Sequence, residues 1–249
     1  MFLTSALLDR AGVIHGFTTR EGGVSEAPWD ALNLGGSVGD DPAAVEANLQ
    51  RLAASAGIAR ERFRGAVQVH GDRVLLVEEG PWDPSNEGDA LLATASGLAV
   101  AVKTADCVPI LLFQPETGEA AAVHAGWRGT AAAIVRRAVE ALASRGGDPG
   151  STLAAIGPCI GRCCYEVSAE LAADFGSRIG PGVVEGRRLD LAEANRLLLR
   201  EAGLQEGAID VLSRCTACEP VHFFSHRRDA GRTGRHLSFV AARDGRSLS

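Results

Sequence analysis

Apolar positions along the chain fall into short runs, separated by glycine, proline and charged clusters. Residues 65–70 (GAVQVH) alternate apolar and polar and predict a strand. Residues 98–102 predict a buried strand entering the polar turn Lys103-Thr104-Ala105-Asp106-Cys107. Residues 108–113 restart a strand, with Pro109 marking an irregularity near its beginning. Short apolar runs at 120–124, 152–156, 209–213 and 236–241 predict further strands. Asp41-Pro42 ahead of an apolar-periodic stretch, with Gly57 behind it, spells an N-cap, a first helical turn and a stop. Helices are also predicted at 130–145, 166–175 and 190–202. The opening MFLTSALLDRAGVIHGF reads as a first strand or a short lead-in. Strands and helices mix without a strict βαβ rhythm. The expectation is therefore a layered α+β (mixed α/β) fold, a single domain over 1–249 with mixed sheets flanked by helices.

Composition narrows the function classes. No run of about 20 uncharged apolar residues occurs, so no transmembrane helix is expected. The N-terminus lacks a basic n-region and a small-residue cleavage site, so no signal peptide is expected and the cytoplasm is the expected location. The net charge is −6 and basic residues are scattered, so neither nucleic acid nor membrane is an expected partner. Lys103 is the single lysine, an arginine bias read as genomic first. No heptad seam is readable, so a monomer is expected. The six cysteines point to packing or metal binding rather than disulfides. Cys215-x-x-Cys218 has no partner pair, so a zinc ribbon is not expected. Cys163 and Cys164 are adjacent and expected to point different ways. With Cys159 they read as buried thiols near a pocket.

Three residues at the ends of apolar segments carry the candidate chemistry. His70 ends GAVQVH, Cys107 lies in the turn between two strands, and His124 ends AAAVH. Two imidazoles and one thiolate suit zinc, and three protein ligands leave a fourth position open for catalysis. The same residue types also occur as hydrogen-bonded histidines and packed thiols. Gly126-Trp127-Arg128-Gly129-Thr130 joins a strand to a helix, where free N–H groups favour an anion and Arg128 adds charge. Arg227 and Arg228 form a charged loop that could hold an anionic group. Copper is the alternative metal. A blue-copper site wants two histidines, a cysteine and commonly an axial methionine, and the only methionine is Met1. A metal-free cysteine hydrolase with Cys107 as nucleophile is a further alternative.

Taken together, HGFTTREGGVS, QVHGDRV, GDALLAT, AVKTADCVPILL, AVHAGWRGT, IGPCIGRCCYEV and FFSHRRDAGRTGRHLSF resemble the YfiH, or laccase-domain, family. Its members were once labelled polyphenol oxidases and are now regarded as purine nucleoside phosphorylases. The resemblance spans nearly the whole chain. It implies zinc ligation by His70, Cys107 and His124. It implies phosphate-dependent cleavage of adenosine, guanosine or inosine, and methylthioadenosine, with adenosine deamination as a second activity. Arg20, Asn33, Gln68 and Arg227 lie in matching motifs around the expected pocket, and Asp106 is the candidate proton shuttle. Two departures stand out: Ser37 replaces a frequent histidine, and Asn48-Leu49 stands where Asn-Arg is common. If that arginine holds phosphate, Arg51 or Arg128 would have to substitute. An editing role on peptidoglycan precursors is also suggested for bacterial relatives.

Overall fold

The computed structural model describes residues 1–243. Its elements in chain order are β1 (Phe2–Leu3), α1 (Ala6–Arg10), β2 (His15–Thr18), α2 (Pro42–Ala56), β3 (Phe63–Arg64), β4 (Val74–Val77), β5 (Ala90–Ala93), β6 (Ala99–Thr104), β7 (Val108–Phe113), β8 (Ala120–Ala125), α3 (Trp127–Ala131), α4 (Ile134–Ser144), β9 (Leu153–Ile156), α5 (Ala169–Arg178), β10 (Val184–Glu185), β11 (Arg188–Leu189), α6 (Leu191–Glu201), β12 (Ile209–Val211) and β13 (His236–Ala241).

The long apolar runs are explained by how the strands are covered. One mixed sheet has the order β1-β2-β13-β6-β3 and a second has β12-β9-β7-β8-β5-β4, while β10 and β11 pair alone. Leu91 of β5, Val100 and Val102 of β6, Leu111 and Phe113 of β7 and Val240 of β13 fill the space between the two sheets. Alternate residues of the second sheet, such as Ile110, Leu112 and Val123, pack instead on Val135, Val139 and Leu142 of α4, Phe175 of α5 and Leu198 of α6. Alternate residues of the first sheet, Ala99, Ala101, Leu237 and Phe239, pack on Leu52 of α2. The layers thus run helix, sheet, sheet, helices. Strands covered on both faces need apolar residues at nearly every position, as β5 and β7 show throughout and β8 and β13 show apart from His124, His236 and Ser238.

Local signals are honoured where nothing distant competes with them. The Asp41 carboxylate accepts from Ala43 N at 3.0 Å, a cap of the kind that contributes about 1 kcal/mol. Gly57 closes α2 in the left-handed conformation at φ 68°. No helix among the described residues is long and apolar enough to cross a membrane.

Several expectations are corrected. Residues 65–70 do not form a strand: β3 stops at Arg64, and Val67 makes only a bridge to Glu87. Val67 and Val69 stand exposed, and the N–H groups beyond them turn to a buried carboxylate rather than to a neighbouring strand. The helix predicted at 130–145 is two helices, because Ala133 adopts φ 56° and redirects the chain between α3 and α4. The helix predicted at 166–175 starts later, at Ala169, where Ser168 Oγ caps it by accepting from Leu171 N. Pro109 marks no irregularity and sits in register opposite His124.

Candidate metal centre and its cavity

Strands β7 and β8 run antiparallel, with Val108 opposite Ala125 and Pro109 opposite His124. That register brings Cys107, just before β7, to the same end of the sheet as His124 in β8. His70 arrives from the loop ahead of β4. The Cys107 Sγ and one ring nitrogen each of His70 and His124 lie within 4.8 Å of one another. The two rings meet edge to face at a centroid distance of 4.8 Å. His124 is buried, Cys107 half-buried and His70 exposed, so the cluster has one open side.

Asp89, immediately before β5, holds this cluster in place and is itself 0% exposed. Its Oδ1 accepts from His124 Nδ1 at 2.7 Å and from His70 N at 2.9 Å. Its Oδ2 accepts from Gly71 N at 2.8 Å and Val69 N at 3.1 Å. The left-handed φ of 60° at His70 is what turns three successive N–H groups toward one carboxylate. With Nδ1 committed to Asp89, the other nitrogen of His124 is the one available to a metal.

The electrostatics suit a cation. Burial pushes the Cys107 thiol up, but hydrogen bonds and charge from His124 and His70 outweigh it and bring the thiol to about 6. Burial pushes His124 down, and hydrogen bonds and charge from Asp89 and Cys107 raise it to about 9. Gly126 is needed for space: a Cβ there would lie 3.0 Å from Cys107 Sγ and 3.2 Å from His70 Cδ2. This glycine of the GWRG segment thus makes room for the Cys107 and His70 side chains. A buried carboxylate orienting one imidazole, a stabilised thiolate and a second imidazole fit a zinc ion with one open position.

The cluster lies in a cavity of about 670 Å³. Gln68, Lys103, Asp106, Tyr165, His226, Arg227 and Arg235 share its lining with His70, Cys107 and His124. A neighbouring cavity of about 560 Å³ also touches Gln68 and Lys103 and is bounded by Leu34, Leu49, Trp82 and Leu237. Both sizes fall in the usual range for small-molecule sites, about 300–1,000 Å³. The Gln68 side chain clamps Lys103, donating to its carbonyl at 2.7 Å and accepting from its N–H at 2.7 Å. Burial, then the charge of Arg60, holds the Lys103 ammonium below its ordinary range. An ammonium in that position is stabilised by an anion.

Of the residues marked in the sequence, Gln68, His70, Asp106, Cys107, His124 and Arg227 meet in this cavity. Arg20, Asn33 and Arg128 are not among its lining residues. Arg20 donates to the carbonyls of Asp30 and Pro220 at 2.7 and 3.0 Å. Asn33 is buried, and its Oδ1 accepts from Arg235 N at 2.8 Å, so it positions a cavity residue from behind. Arg128 is exposed and stacks over Trp127 at 4.3 Å. Asp106 has both carboxylate oxygens engaged, by Thr216 Oγ1 at 2.6 Å and Arg227 N at 2.7 Å. Ser37 lines the cavity and Leu49 the neighbouring one, while Arg51 donates to the Gly22 carbonyl at 3.2 Å. The basic lining is therefore Lys103, Arg227 and Arg235, with His226 beside them.

Asp89, Tyr165 and Arg235 carry no signal in the sequence pattern, and Lys103 reads there as compositional. The one available signal was that Lys103 interrupts an otherwise apolar strand. The cysteine expectations also change. Cys159 is buried, and burial pushes its thiol well above the ordinary range. Cys163, Cys164, Cys215 and Cys218 are exposed or half-buried, and their sulfurs converge, so the Cys215/Cys218 pair does have a partner pair.

The family profile described as "Multi-copper polyphenol oxidoreductase laccase" matches residues 14–243. A Deinococcus radiodurans protein named "Purine nucleoside phosphorylase" is 46% identical, over 92% of this chain and 88% of its own length. The solved structure of the Bacillus licheniformis hypothetical protein YfiH superposes with a TM-score of 0.87 at 36% identity, covering 93% of each chain. That of YlmD from Geobacillus stearothermophilus gives 0.86 at 38% identity, covering 94% of this chain and 93% of its own.

Proposed function

This chain belongs to the family described as "Multi-copper polyphenol oxidoreductase laccase", and from that membership we propose that it is a zinc enzyme cleaving purine nucleosides with phosphate. The observation that carries this reading is the convergence of a two-histidine, one-thiolate donor set and three basic side chains on one cavity. The phosphorylase name of relatives aligned over most of the chain supports it. Adenosine, guanosine or inosine, and methylthioadenosine are the substrates, and the enzyme works as a cytoplasmic monomer of one domain.

A zinc ion held by His70, Cys107 and His124 would supply Lewis acidity at its open position. The chain's own residues do the rest. Lys103, Arg227 and Arg235 bind the phosphate and set one of its oxygens toward the ribose C1′. Attack there forms the C1′–O bond and breaks the bond to N9, whose electron pair leaves with the base. Tyr165 remains a neutral phenol, because burial pushes its hydroxyl up to about 12. Its ring offers a stacking face for the purine. Asp106 acts as a positioning residue, fixing the Arg227 backbone beside Cys107, rather than as the proton shuttle its place in the sequence suggested.

Deamination of adenosine at the same centre is the second activity implied by the family resemblance. Copper oxidation is the weaker reading. Among the described residues only two groups of three or more His, Cys, Asp or Glu side chains converge, and one of these is all cysteine. Met1 packs against the α2 side of the first sheet, not in the cavity, so no axial methionine is present at the His/Cys cluster.

The test is product identification after incubating zinc-loaded protein with adenosine and phosphate. Adenine and ribose 1-phosphate in equal amounts are expected. Inosine alone would replace phosphorolysis with deamination, and no product would exclude adenosine as substrate.

A further inference from the structure

The parallel neighbours β9 and β12 run on into loops that carry three and two cysteines, of which Cys159 on the first is buried and stands apart. Cys163 and Cys164 lie on the first loop, Cys215 and Cys218 on the second. All four sulfurs lie within 4.8 Å of one another. We propose that these four thiols hold one structural zinc ion, a second metal site separate from the His70, Cys107 and His124 centre.

The sulfur spacing suits a single ion. Zinc–sulfur bonds of about 2.3 Å in a tetrahedron put the sulfurs roughly 3.8 Å apart. Cys164 Sγ lies 3.3 Å and Cys163 Sγ 3.5 Å from Cys218 Sγ. A disulfide would draw one pair to about 2.05 Å and leave the others aside. Here Cys218 is approached almost equally by both of its neighbours. A multi-iron cluster would spread its cysteines over several metal atoms, which four mutually close sulfurs do not allow. Packing gives no other reason for the cluster, since Cys163 and Cys218 are exposed.

The backbone is built to hold it. Strand-like pairing continues past β9 and β12, with Cys159 N donating to Arg214 O at 3.2 Å and Thr216 N to Cys159 O at 2.9 Å. The first loop turns tightly, Cys164 N donating to Gly161 O at 3.0 Å. Gly161 N donates to Cys215 Sγ at 3.2 Å, a bond that favours the thiolate form. A Cβ at Gly161 would lie 3.3 Å from both Cys163 Sγ and Cys215 Cβ, so a side chain there would crowd the ligands. Arg188 donates to the Cys163 carbonyl and brings positive charge beside a site whose four thiolates exceed the charge of one zinc.

The site ties together two walls of the catalytic cavity. Tyr165 follows Cys164 directly, and Thr216 follows Cys215 and donates to Asp106 Oδ1 at 2.6 Å. A zinc clamp here fixes both loops from outside the cavity. The inference stands on the four thiols and does not depend on the phosphorylase reading.

The test is zinc content per chain by elemental mass spectrometry, on protein purified under reducing conditions. Two zinc ions per wild-type chain and one in the Cys107→Ser variant are expected. X-ray absorption of that variant should show four sulfur neighbours around its zinc. The Cys215→Ser/Cys218→Ser double variant should also hold one zinc ion, at the His/Cys centre. If that variant does not fold, the zinc remaining in Cys107→Ser decides alone. A Cys107→Ser chain that is folded and free of zinc would overturn the site. Mass-spectrometric detection of these cysteines as disulfides in the native protein would overturn it too.

Discussion

His124 Nδ1 donates to Asp89 Oδ1 at 2.7 Å inside a carboxylate that also collects the N–H groups of Val69, His70 and Gly71. One buried side chain therefore orients the ring of one histidine of the candidate metal cluster and the backbone of the other. Asp89 is not among the residues lining the cavity, so its influence passes through His70 and His124.

Replacing Asp89 by Asn should accordingly weaken the metal before it affects anything else. Loss of an orienting carboxylate typically costs about 10–100-fold in metal affinity. Competition against a chelator would measure it. An unchanged affinity in folded Asp89→Asn protein would remove the positioning role.

The same contacts set a pH dependence. Without metal, Cys107 is a thiolate above about pH 6, and His124 stays an imidazolium up to about pH 9. Between about pH 7 and 9 zinc must therefore displace one proton, from His124. Apparent affinity should rise roughly tenfold per pH unit across that window and level off above it. Calorimetry in buffers of different ionisation enthalpy would read about one proton released per zinc at pH 7.5. No release would show that His124 is already neutral without metal.

Gly126→Ala places a methyl group against Cys107 Sγ and His70 Cδ2. The neighbours would have to shift, so metal affinity and turnover should fall together while the fold persists. Zinc titration beside a thermal melt would separate this from unfolding. Full metal content and activity would mean that the ligand loop yields without cost.

Lys103→Met tests the anion site. The lysine is half-buried beside Gln68 and next to Arg60. Its loss should reduce kcat/KM for phosphate by about 10²-fold, the scale of removing one donor to an anionic reacting group. Zinc content should not change. An unaltered dependence on phosphate would shift the anion to Arg227 and Arg235 alone.

The sequence revealed those features whose cause is local. Helix α2 was legible because Asp41, Pro42 and Gly57 each act within a turn of where they stand. Strand β7 was legible because burial on both faces writes an unbroken apolar run. The His70, Cys107 and His124 cluster could be picked out because histidine and cysteine are uncommon at the ends of such runs. Asp89 could not, because its partners at 69–71 and 124 come together only when β5 pairs with β8. The four surface cysteines were hidden for the same reason: the two pairs meet only through the neighbouring strands β9 and β12. Arg20 and Asn33 lie outside the cavity lining, where their side chains are engaged by the Asp30 and Pro220 carbonyls and the Asp30 carboxylate, and by Asp40 and the Arg235 N–H. The alternation at 65–70 does not mark a strand, because Ala66, Val67, Gln68 and His70 line the cavity together and the N–H groups of Val69, His70 and Gly71 turn to Asp89.

The most direct test of the whole account is adenine release from adenosine as phosphate is varied, measured on zinc-loaded and zinc-stripped protein side by side. Saturable release that needs both phosphate and zinc, and returns when zinc is restored, is the expected result. Release that persists in the stripped protein, or that ignores phosphate, would contradict phosphorolysis at the His70, Cys107 and His124 centre.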